Sequence, residues 1–479
     1  MKQNFVSHVY ELVCINRWHI KYTILLVLLM SIMLPVQLVK AEDLMQVYRL
    51  AKENDPAFQG EIYRHEASPE TSKQAYSEVL PKVTIDAFNQ RTRQQILDTD
   101  VAVYGEDLVR YPSRGYILTL TQPIFRASSF TRISQAKEEV RRDDLKFEAA
   151  KQDLTLRVAE AYIKALEAHD ALEFTHTEEE ALRLHFELAQ ERYNSGLAPI
   201  TDFHDAKARL VSVTAQRVMS ENSLDDALEA LAEVTGQRIE NLARLKFAPI
   251  TGGFFTQDIN ESTQGIMPLV SPDPDDINDW LDAALKQNFG VQVQRQEVLV
   301  ADQEIKRQMG GHWPTLTFVG RLNRDQQGGS LFGGESDLQT REAILQLNFP
   351  LFQGFSVLSK TREARELLKA VKQDLEKETR AVKRETRAAF LGVKSAIKST
   401  EALKQSVVSN QIALGAKIEG FKSGLFPSLA VIDTERDLHQ AKMKHAKAKY
   451  DYIYNSLRLK KAVGTLNEED LAGINQWLE

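Results

Sequence analysis

The hydrophobic pattern of this 479-residue chain changes from strand-like to helix-like twice along its length. Short stretches alternate apolar and polar residues, and each is followed by a much longer stretch in which apolar residues recur every three or four positions. The first long stretch runs over residues 128–195, and the second over about 356–423. The first contains no helix breaker, so it predicts a helix of about 100 Å at about 1.5 Å per residue.

The apolar positions of both long helices follow a heptad seam, which is narrower than the apolar stripe of a globular core. The first seam contains Leu154, Val158, Ala161, Ala165, Ala168, Leu172, Thr175, Glu179, Leu182, Phe186, Ala189 and Tyr193. The second contains Val382, Ala389, Val393, Ala396, Leu403, Val407, Leu414 and Phe421. Its polar members, Thr386, Thr400, Asn410 and Lys417, make it the weaker pattern. Both seams predict helices that pair with another helix.

Each long helix ends at a glycine that is followed closely by a proline. The pairs are Gly196 with Pro199 and Gly424 with Pro427. A glycine just beyond the last helical turn favours a left-handed cap, and the proline prevents the helix from continuing. Helical periodicity then resumes over about 200–235 and 428–463, so each half of the chain is predicted to form a helical hairpin with its tip at the glycine.

An internal repeat organises the whole chain. Residues 195–199 recur as residues 423–427 at an offset of 228, and residues 118–125 recur as residues 345–352 at an offset of 227. The repeat divides the chain into five parts: a signal peptide (1–41), a first repeat (42–240), an irregular link between repeats (241–280), a second repeat (281–464) and a C-terminal segment (465–479).

A strand pair is expected ahead of each long helix, at about 82–125 and 314–352, and each pair follows a short helix at about 56–79 or 289–309. Leu316, Phe318 and Leu322 alternate with polar residues in the third predicted strand. Alternation over ~10 residues is the weak signature of a membrane barrel strand, although a half-buried strand in a soluble sandwich alternates in the same way. Four strands cannot close a barrel of at least ~8, so the membrane interpretation requires several copies of the chain.

The first 41 residues have the layout of a secretory signal: a basic stretch near Arg17, an apolar run over 23–34 and a small residue at Ala41. The only cysteine, Cys14, lies inside this segment, so no disulfide or cysteine metal site is expected after cleavage. The mature chain would carry 56 basic and 66 acidic residues, a net charge of −10. This charge argues against nucleic acid as a partner.

The duplicated hairpins with Gly-x-x-Pro tips, the Pro-Ile-Phe and Pro-Leu-Phe strand exits (123–125 and 350–352) and the segment from Leu459 to Leu471 resemble the TolC family of outer-membrane channel proteins. The resemblance implies a mainly α fold with a β component. It further implies a homotrimer with a twelve-stranded barrel continuous with a helical periplasmic tunnel. A periplasmic adaptor (membrane fusion) protein would join it to an inner-membrane transporter. The implied activities are efflux of small toxic compounds and type I secretion of proteins, at the outer membrane.

Three carboxylates near the hairpin tips are candidates for a periplasmic gate. Asp202 and Asp205 lie on one face of the helix after the first tip, and Asp433 is the repeat equivalent of Asp205. In an oligomer they would form an acidic ring that attracts cations. The resemblance implies two aspartates after the second tip, of which this chain keeps Asp433 and has Ala430 at the other. Asp202 has an alternative role, because a carboxylate in a first helical turn is favoured by the helix dipole.

The resemblance also implies a polar latch, made by a tyrosine and an arginine near the second tip that reach the positions of Thr201 and Asp202. This chain has Phe421 and Phe426 at those two places, which favours an apolar closure. The alternative for both phenylalanines is ordinary packing at a hairpin tip.

Other classes of protein are disfavoured by the motifs. The histidines at 169, 176, 185, 439 and 445 form no HExxH motif, so we expect solvated helix-face histidines, no catalytic residues, no metal and no cofactor. The segments 98–112 and 326–334 are interpreted as outer loops, because the double glycines of the latter lack the spacing of a phosphate-binding loop. A periplasmic coiled-coil adaptor or scaffold without a barrel is the alternative function; it would share the helical hairpins but would not need the strand pairs.

Overall fold

The computed structural model describes residues 41–95, 108–246, 267–329 and 334–479. Residues 1–40 of the predicted signal, and much of both predicted outer loops, lie outside these ranges. The described elements are, in chain order, α1 (Leu44–Asn54), α2 (Pro56–Ser77), β1 (Lys82–Gln95), β2 (Leu108–Phe125), α3 (Ala127–Asn194), α4 (Ile200–Thr235), α5 (Ile277–Gln287), α6 (Phe289–Met309), β3 (Thr315–Gln327), β4 (Ser336–Asn348), α7 (Ser356–Lys422), α8 (Ser428–Val463) and α9 (Glu468–Asn475).

The two long helices have 68 and 67 residues, so each is about 100 Å long, as the sequence predicts. Both tips use the expected left-handed glycine, with φ of +70° at Gly196 and +76° at Gly424. The return helices end in the same way at Gly236 and Gly464. Below, α3 with α4 is called the first hairpin and α7 with α8 the second hairpin.

The four strands form a single antiparallel sheet in the order β1-β2-β3-β4. Its central pairing joins the two repeats, with Leu118 opposite Leu322. The sequence predicts the two strand pairs but carries no local sign of this central pairing. The register shifts between Pro123 and Phe125, where the sheet ends and the first long helix begins. Strands β1 and β4 are the two edges of the sheet.

The long helices pack side by side in an order that repeats the order of the strands. Near the sheet, α2 packs on α3, α3 on α6 and α6 on α7. Toward the tips, α4 packs on α3, α3 on α8 and α8 on α7. One flank of the molecule is therefore made by β1, α2 and α4 of the first repeat, and the other flank by β4 and α7 of the second.

The main hydrophobic core lies at mid-height, where α1, α9 and the start of the inter-repeat link pack on the middle of α3 and the upper ends of α4 and α8. Tyr162 is buried there, and its hydroxyl donates to the carbonyl of Ala243 at 2.6 Å. The backbone of Arg244 pairs with that of Glu479, with N···O distances of 3.0 and 2.8 Å. The link that the sequence predicts as irregular to residue 280 is helical from Ile277 onward, and α9 adds a capped helix to the C-terminal segment.

Among the described residues, none of the helices combines the length and the apolar character that crossing a membrane requires.

Candidate functional site: the hairpin tips and the contact between hairpins

The two hairpin tips are built alike. Pro199 and Pro427 are the N-cap residues of α4 and α8, and both have φ of −71°. The glycine before each proline reverses the chain, and the leucine between them is 72% exposed at Leu197 and 76% exposed at Leu425. Each tip therefore presents a largely exposed leucine.

Asp202 and Asp205 line one small cavity against the second tip. The cavity has a volume of about 130 Å³, and His185, Arg192, Pro427 and Ile432 also line it. Asp202 lies in the first turn of α4, where its backbone N–H donates to the carbonyl of Pro199 at 3.2 Å. The hydroxyl of Thr201 is 3.5 Å from the Asp202 carboxylate. The structure thus brings Asp202 and Asp205 to the junction of the two tips, with Thr201 beside Asp202.

Asp433 has different surroundings from its repeat equivalent Asp205. It accepts a hydrogen bond from Nη1 of Arg209 at 2.5 Å, and Nη1 of Arg436 is 3.8 Å from the same oxygen. The repeat equivalent of Arg209 is Asp437, so the second repeat has no counterpart of this arginine. The two cations offset the charge of Asp433, which is therefore not the free carboxylate that the sequence alone suggests.

Further polar contacts join α3 to α8 above this ion pair. His185 Nε2 is 3.4 Å from the carboxylate of Glu435, and this contact is the main reason why the pKa of Glu435 is lowered. Higher up, the hydroxyl of Tyr450 donates to the buried carboxylate of Asp170 at 2.7 Å. The hairpins of one chain are consequently tied together at several heights, and the Arg209–Asp433 pair is the tie near the tips.

Phe426 lies over its own helix. Its backbone N–H points to the carbonyl of Gly420 at 3.4 Å, and a Cβ at Gly420 would lie only 2.3 Å from Cδ2 of its ring. The ammonium of Lys417 is 3.8 Å from the centroid of the same ring, a cation–π contact. Phe421 is half-buried on the same turn. Within one chain these contacts are ordinary packing at a hairpin tip, which is the alternative to an apolar closure.

The described residues that come closest to a metal-binding set are His169, Asp170 and Glu173, whose ligand atoms lie within 4.8 Å of one another. The guanidinium of Arg244 already occupies this set, at 2.8 Å from Nε2 of His169 and 2.5 Å from Glu173. Burial raises the pKa of Asp170 and lowers that of His169. A cation would have to displace the arginine, so the arrangement is a salt-bridge network at the core.

One expectation about histidines is wrong. His445 is only 6% exposed, so it is not a solvated helix-face residue. Burial, with further contributions from Lys449 and Lys404, lowers its pKa to about 4, and the ring is neutral at physiological pH.

A groove of about 1210 Å³ separates the hairpins just above the core. Its charged walls are paired within the chain: Asp153 contacts Lys461 at 2.7 Å and Arg157 at 3.0 Å, and Glu385 binds Arg458. These pairs bind much of the groove's charge within the chain, and Glu378 and Arg384 also line it.

The duplicated repeat, the two tips and the single sheet define a class of outer-membrane channel, and comparisons with known proteins give the family. The family model of the outer membrane efflux protein matches residues 47–237 and 280–465, and the chain belongs to this family. Outer membrane protein TolC of Vibrio cholerae serotype O1 is 32% identical over 441 residues, which cover 92% of this chain and 94% of that protein. The alkaline protease secretion protein AprF of Pseudomonas aeruginosa is 27% identical, over 90% of this chain and 86% of AprF.

Solved structures have the same fold. The Campylobacter jejuni CmeC outer membrane channel has a TM-score of 0.74 at 16% identity, covering 91% of this chain and 90% of that one. The open state of the Neisseria gonorrhoeae MtrE outer membrane channel has a TM-score of 0.67 at 16% identity, covering 89% and 90%. The mainly α fold with a β component is confirmed. The protein is an outer-membrane channel for efflux or type I secretion, with its helical tunnel in the periplasm.

Proposed function

We propose that three copies of the chain assemble into a ring that forms one continuous duct. The observation that carries this proposal is that the strands and the helices pack side by side in the same order. As a result, one free flank belongs to the first repeat and the other to the second repeat along the whole length from the sheet to the tips. A flank of the first repeat on one copy then meets a flank of the second repeat on the next. Such a head-to-tail contact gives a closed ring when the rotation between copies closes.

The sheet supplies the physical reason for assembly. Strands β1 and β4 leave their outer backbone groups unpaired within the chain, and each unpaired group costs several kcal/mol in lipid. Pairing β1 of one copy with β4 of the next satisfies both edges. Three copies provide twelve strands, which exceeds the ~8 needed for a closed membrane barrel. The exposed apolar side chains on β4, such as Leu345 and Leu347, would then face outer-membrane lipid.

The helical hairpins would extend this barrel as a periplasmic tunnel. At their tips, the duct would meet a periplasmic adaptor protein and, through it, an inner-membrane transporter. The exposed leucines at the two tips, Leu197 and Leu425, are the apolar groups available for that contact. The family is named for efflux, and the relatives include two protease secretion proteins, so both effluxed compounds and secreted proteins fit as cargo.

The periplasmic mouth of this duct would be controlled at the tips. Asp202 and Asp205 line the cavity where the first tip meets the second, Thr201 lies beside Asp202, and Asp433 is held by Arg209. We propose that this ion pair keeps the hairpins of one chain together and that the mouth widens when it breaks. Phe421 and Phe426 pack on their own tip within the chain, and they contribute to closure only if neighbouring copies bring them together.

Mass measurement of the detergent-extracted protein tests the assembly. A mass three times that of the chain, after correction for bound detergent, is the expected result. A monomer would remove the basis for the shared barrel. Solubility without detergent after signal removal would instead favour the adaptor or scaffold alternative.

A further inference from the structure

The two hairpins carry opposite net charges. The helices of the first hairpin contain 22 acidic and 13 basic residues, a net charge of −9 with histidines neutral. Those of the second contain 12 acidic and 23 basic residues, a net charge of +11. The whole chain has a net charge of only −7, so the separation of charge is much larger than the overall imbalance.

Part of the acidic excess lies on the free flank made by α4. Residues 221–233 contain no lysine or arginine, and five exposed carboxylates project from them: Glu221, Asp225, Asp226, Glu229 and Glu233. Within the chain, Arg217 binds Glu221, and Arg238 binds Asp225 and Glu229. Asp226 and Glu233 make no ion pair with any residue that the structure describes. Two cations therefore face five anions.

The basic excess is concentrated on the opposite flank, made by α7. Residues 383–404 contain six basic and two acidic residues. Arg387, Lys398 and Lys404 are exposed, and in the described part of the chain none of them has an ion-pair partner. Glu385, one of the two acids, is already bound to Arg458. This face of α7 is a row of cations without matching anions.

The two charged faces lie at matching heights. Counted from the tips, residues 221–233 of α4 lie about 30 to 50 Å away, and residues 387–404 of α7 lie about 25 to 50 Å away, at about 1.5 Å per residue. They cannot meet in one chain, because α3 and α8 lie between them. Nearer the tips each flank also exposes apolar side chains at similar heights, such as Val211 on α4 and Ile412 on α7.

We infer that the acidic face of α4 binds the basic face of α7 on a second copy of the chain. This inference rests on the ring proposed above and names the residues that set the order of the copies. Opposite charges attract across this contact, whereas two first hairpins or two second hairpins repel each other. Like-charge contact costs several kcal/mol at an interface, so the charge pattern excludes the wrong pairing of flanks.

Charge reversal tests the contact. Asp226 and Glu233 are seven residues apart on one face of α4, and the double substitution Asp226→Lys with Glu233→Lys should weaken trimer association roughly tenfold or more at low salt. At about 1 M salt, where screening acts over ~3 Å, the variant should approach the wild type. Adding Arg387→Glu and Lys398→Glu to the same chain should restore association.

The matched control is Glu180→Lys with Glu187→Lys. These exposed carboxylates are also seven residues apart, but they lie on α3, which is not on the free flank. The net charge of the hairpin changes equally, so association should remain within about twofold of the wild type. An unchanged trimer in the Asp226/Glu233 variant, or equal weakening in the control, would overturn the inference while leaving the channel proposal intact. A wild-type monomer would instead contradict the proposed function.

Cross-linking of cysteine variants gives a readout that does not depend on charge reversal. The only native cysteine is Cys14, which lies in the predicted signal, so introduced thiols are the reactive ones. Asp226→Cys with Lys398→Cys should give a ladder of two and three linked chains with a thiol cross-linker. A linker of about 10 Å matches the interaxial distance of packed helices. Glu187→Cys with Lys398→Cys should give none. Absence of the ladder in a protein that is trimeric by mass would refute the contact.

Discussion

Arg209 on α4 and Asp433 on α8 form an ion pair, with 2.5 Å between Nη1 and Oδ1, that joins the first hairpin to the second close to the tips. The partners are 224 residues apart in the chain, so folding of both hairpins is needed to form it. Because this cation offsets the carboxylate, the proposed contribution of Asp433 to the charge of the periplasmic mouth depends on whether the pair is closed.

The first prediction concerns cation block. Arg209→Gln leaves Asp433 with only the more distant Arg436, so block by multivalent cations added on the periplasmic side should become stronger in planar bilayers. Asp433→Ala should weaken block, and Asp205→Ala should add to that effect. Lys422→Gln removes a cation of the same tip that pairs with Glu419 rather than with Asp433, and it should change block little. Equal block in the wild type, Arg209→Gln and Asp433→Ala would show that Asp433 does not contribute to the mouth.

The second prediction concerns pH. Burial raises the pKa of Asp170, so the folded state favours its neutral form. The stabilisation is fully present below the unfolded carboxyl pKa of about 3.9 and is lost as pH rises through the higher folded pKa. Asp170→Asn stays neutral and still accepts from Tyr450, so its melting temperature relative to the wild type should increase between about pH 3 and pH 7. A constant difference across that range would show that Asp170 titrates normally.

The third prediction concerns the second tip. Gly420→Ala places a methyl group where the Phe426 ring lies, 2.3 Å from Cδ2, and should destabilise the tip by about 1–3 kcal/mol. Limited proteolysis near residue 424 measures this effect as faster cleavage. Gly415→Ala is the control on the same helix, since its added methyl group meets no atom within 4 Å apart from its chain neighbours and the adjacent backbone of its own helix. It should stabilise the helix by about 0.5–1 kcal/mol.

The fourth prediction concerns backbone strain where β4 passes into α7. Phe355 has φ of +62°, in the left-handed region that a side chain disfavours by about 1–2 kcal/mol. Its ring is 69% exposed in the chain, and it contacts Phe352 edge-on at 5.3 Å. Phe355→Gly should raise the melting temperature of the detergent-extracted protein. A lower melting temperature would mean that contacts of the ring in the assembled protein outweigh the strain.

Much of the helical fold can be predicted from the sequence, because its signals are local. The return helices and α6 have the bounds that periodicity and the Gly-Pro stops predict. Pairing of β2 with β3 could not be predicted in this way, since the partners are about 200 residues apart and each strand alone fits either a soluble or a membrane sheet.

The surroundings of the candidate site were harder to predict for the same reason. Asp433 was identified from its repeat equivalence to Asp205. The equivalence alone does not show that Asp433 is bound by Arg209, an arginine whose repeat equivalent is Asp437. Burial of His445 depends on how α7 packs against α8. The sequence alone does not show which polar face of α8 is covered in this packing. The charge separation between the hairpins was visible in the sequence, although its meaning depends on which helices form the free flanks.

Conductance in planar lipid bilayers tests the central claim most directly. Purified protein, added in detergent at low concentration, should insert as discrete and uniform current steps, because each trimer contributes one continuous duct. The steps should disappear when the Asp226→Lys and Glu233→Lys variant is added as dissociated chains. Protein that is folded by circular dichroism but produces no steps above the detergent baseline would contradict the account.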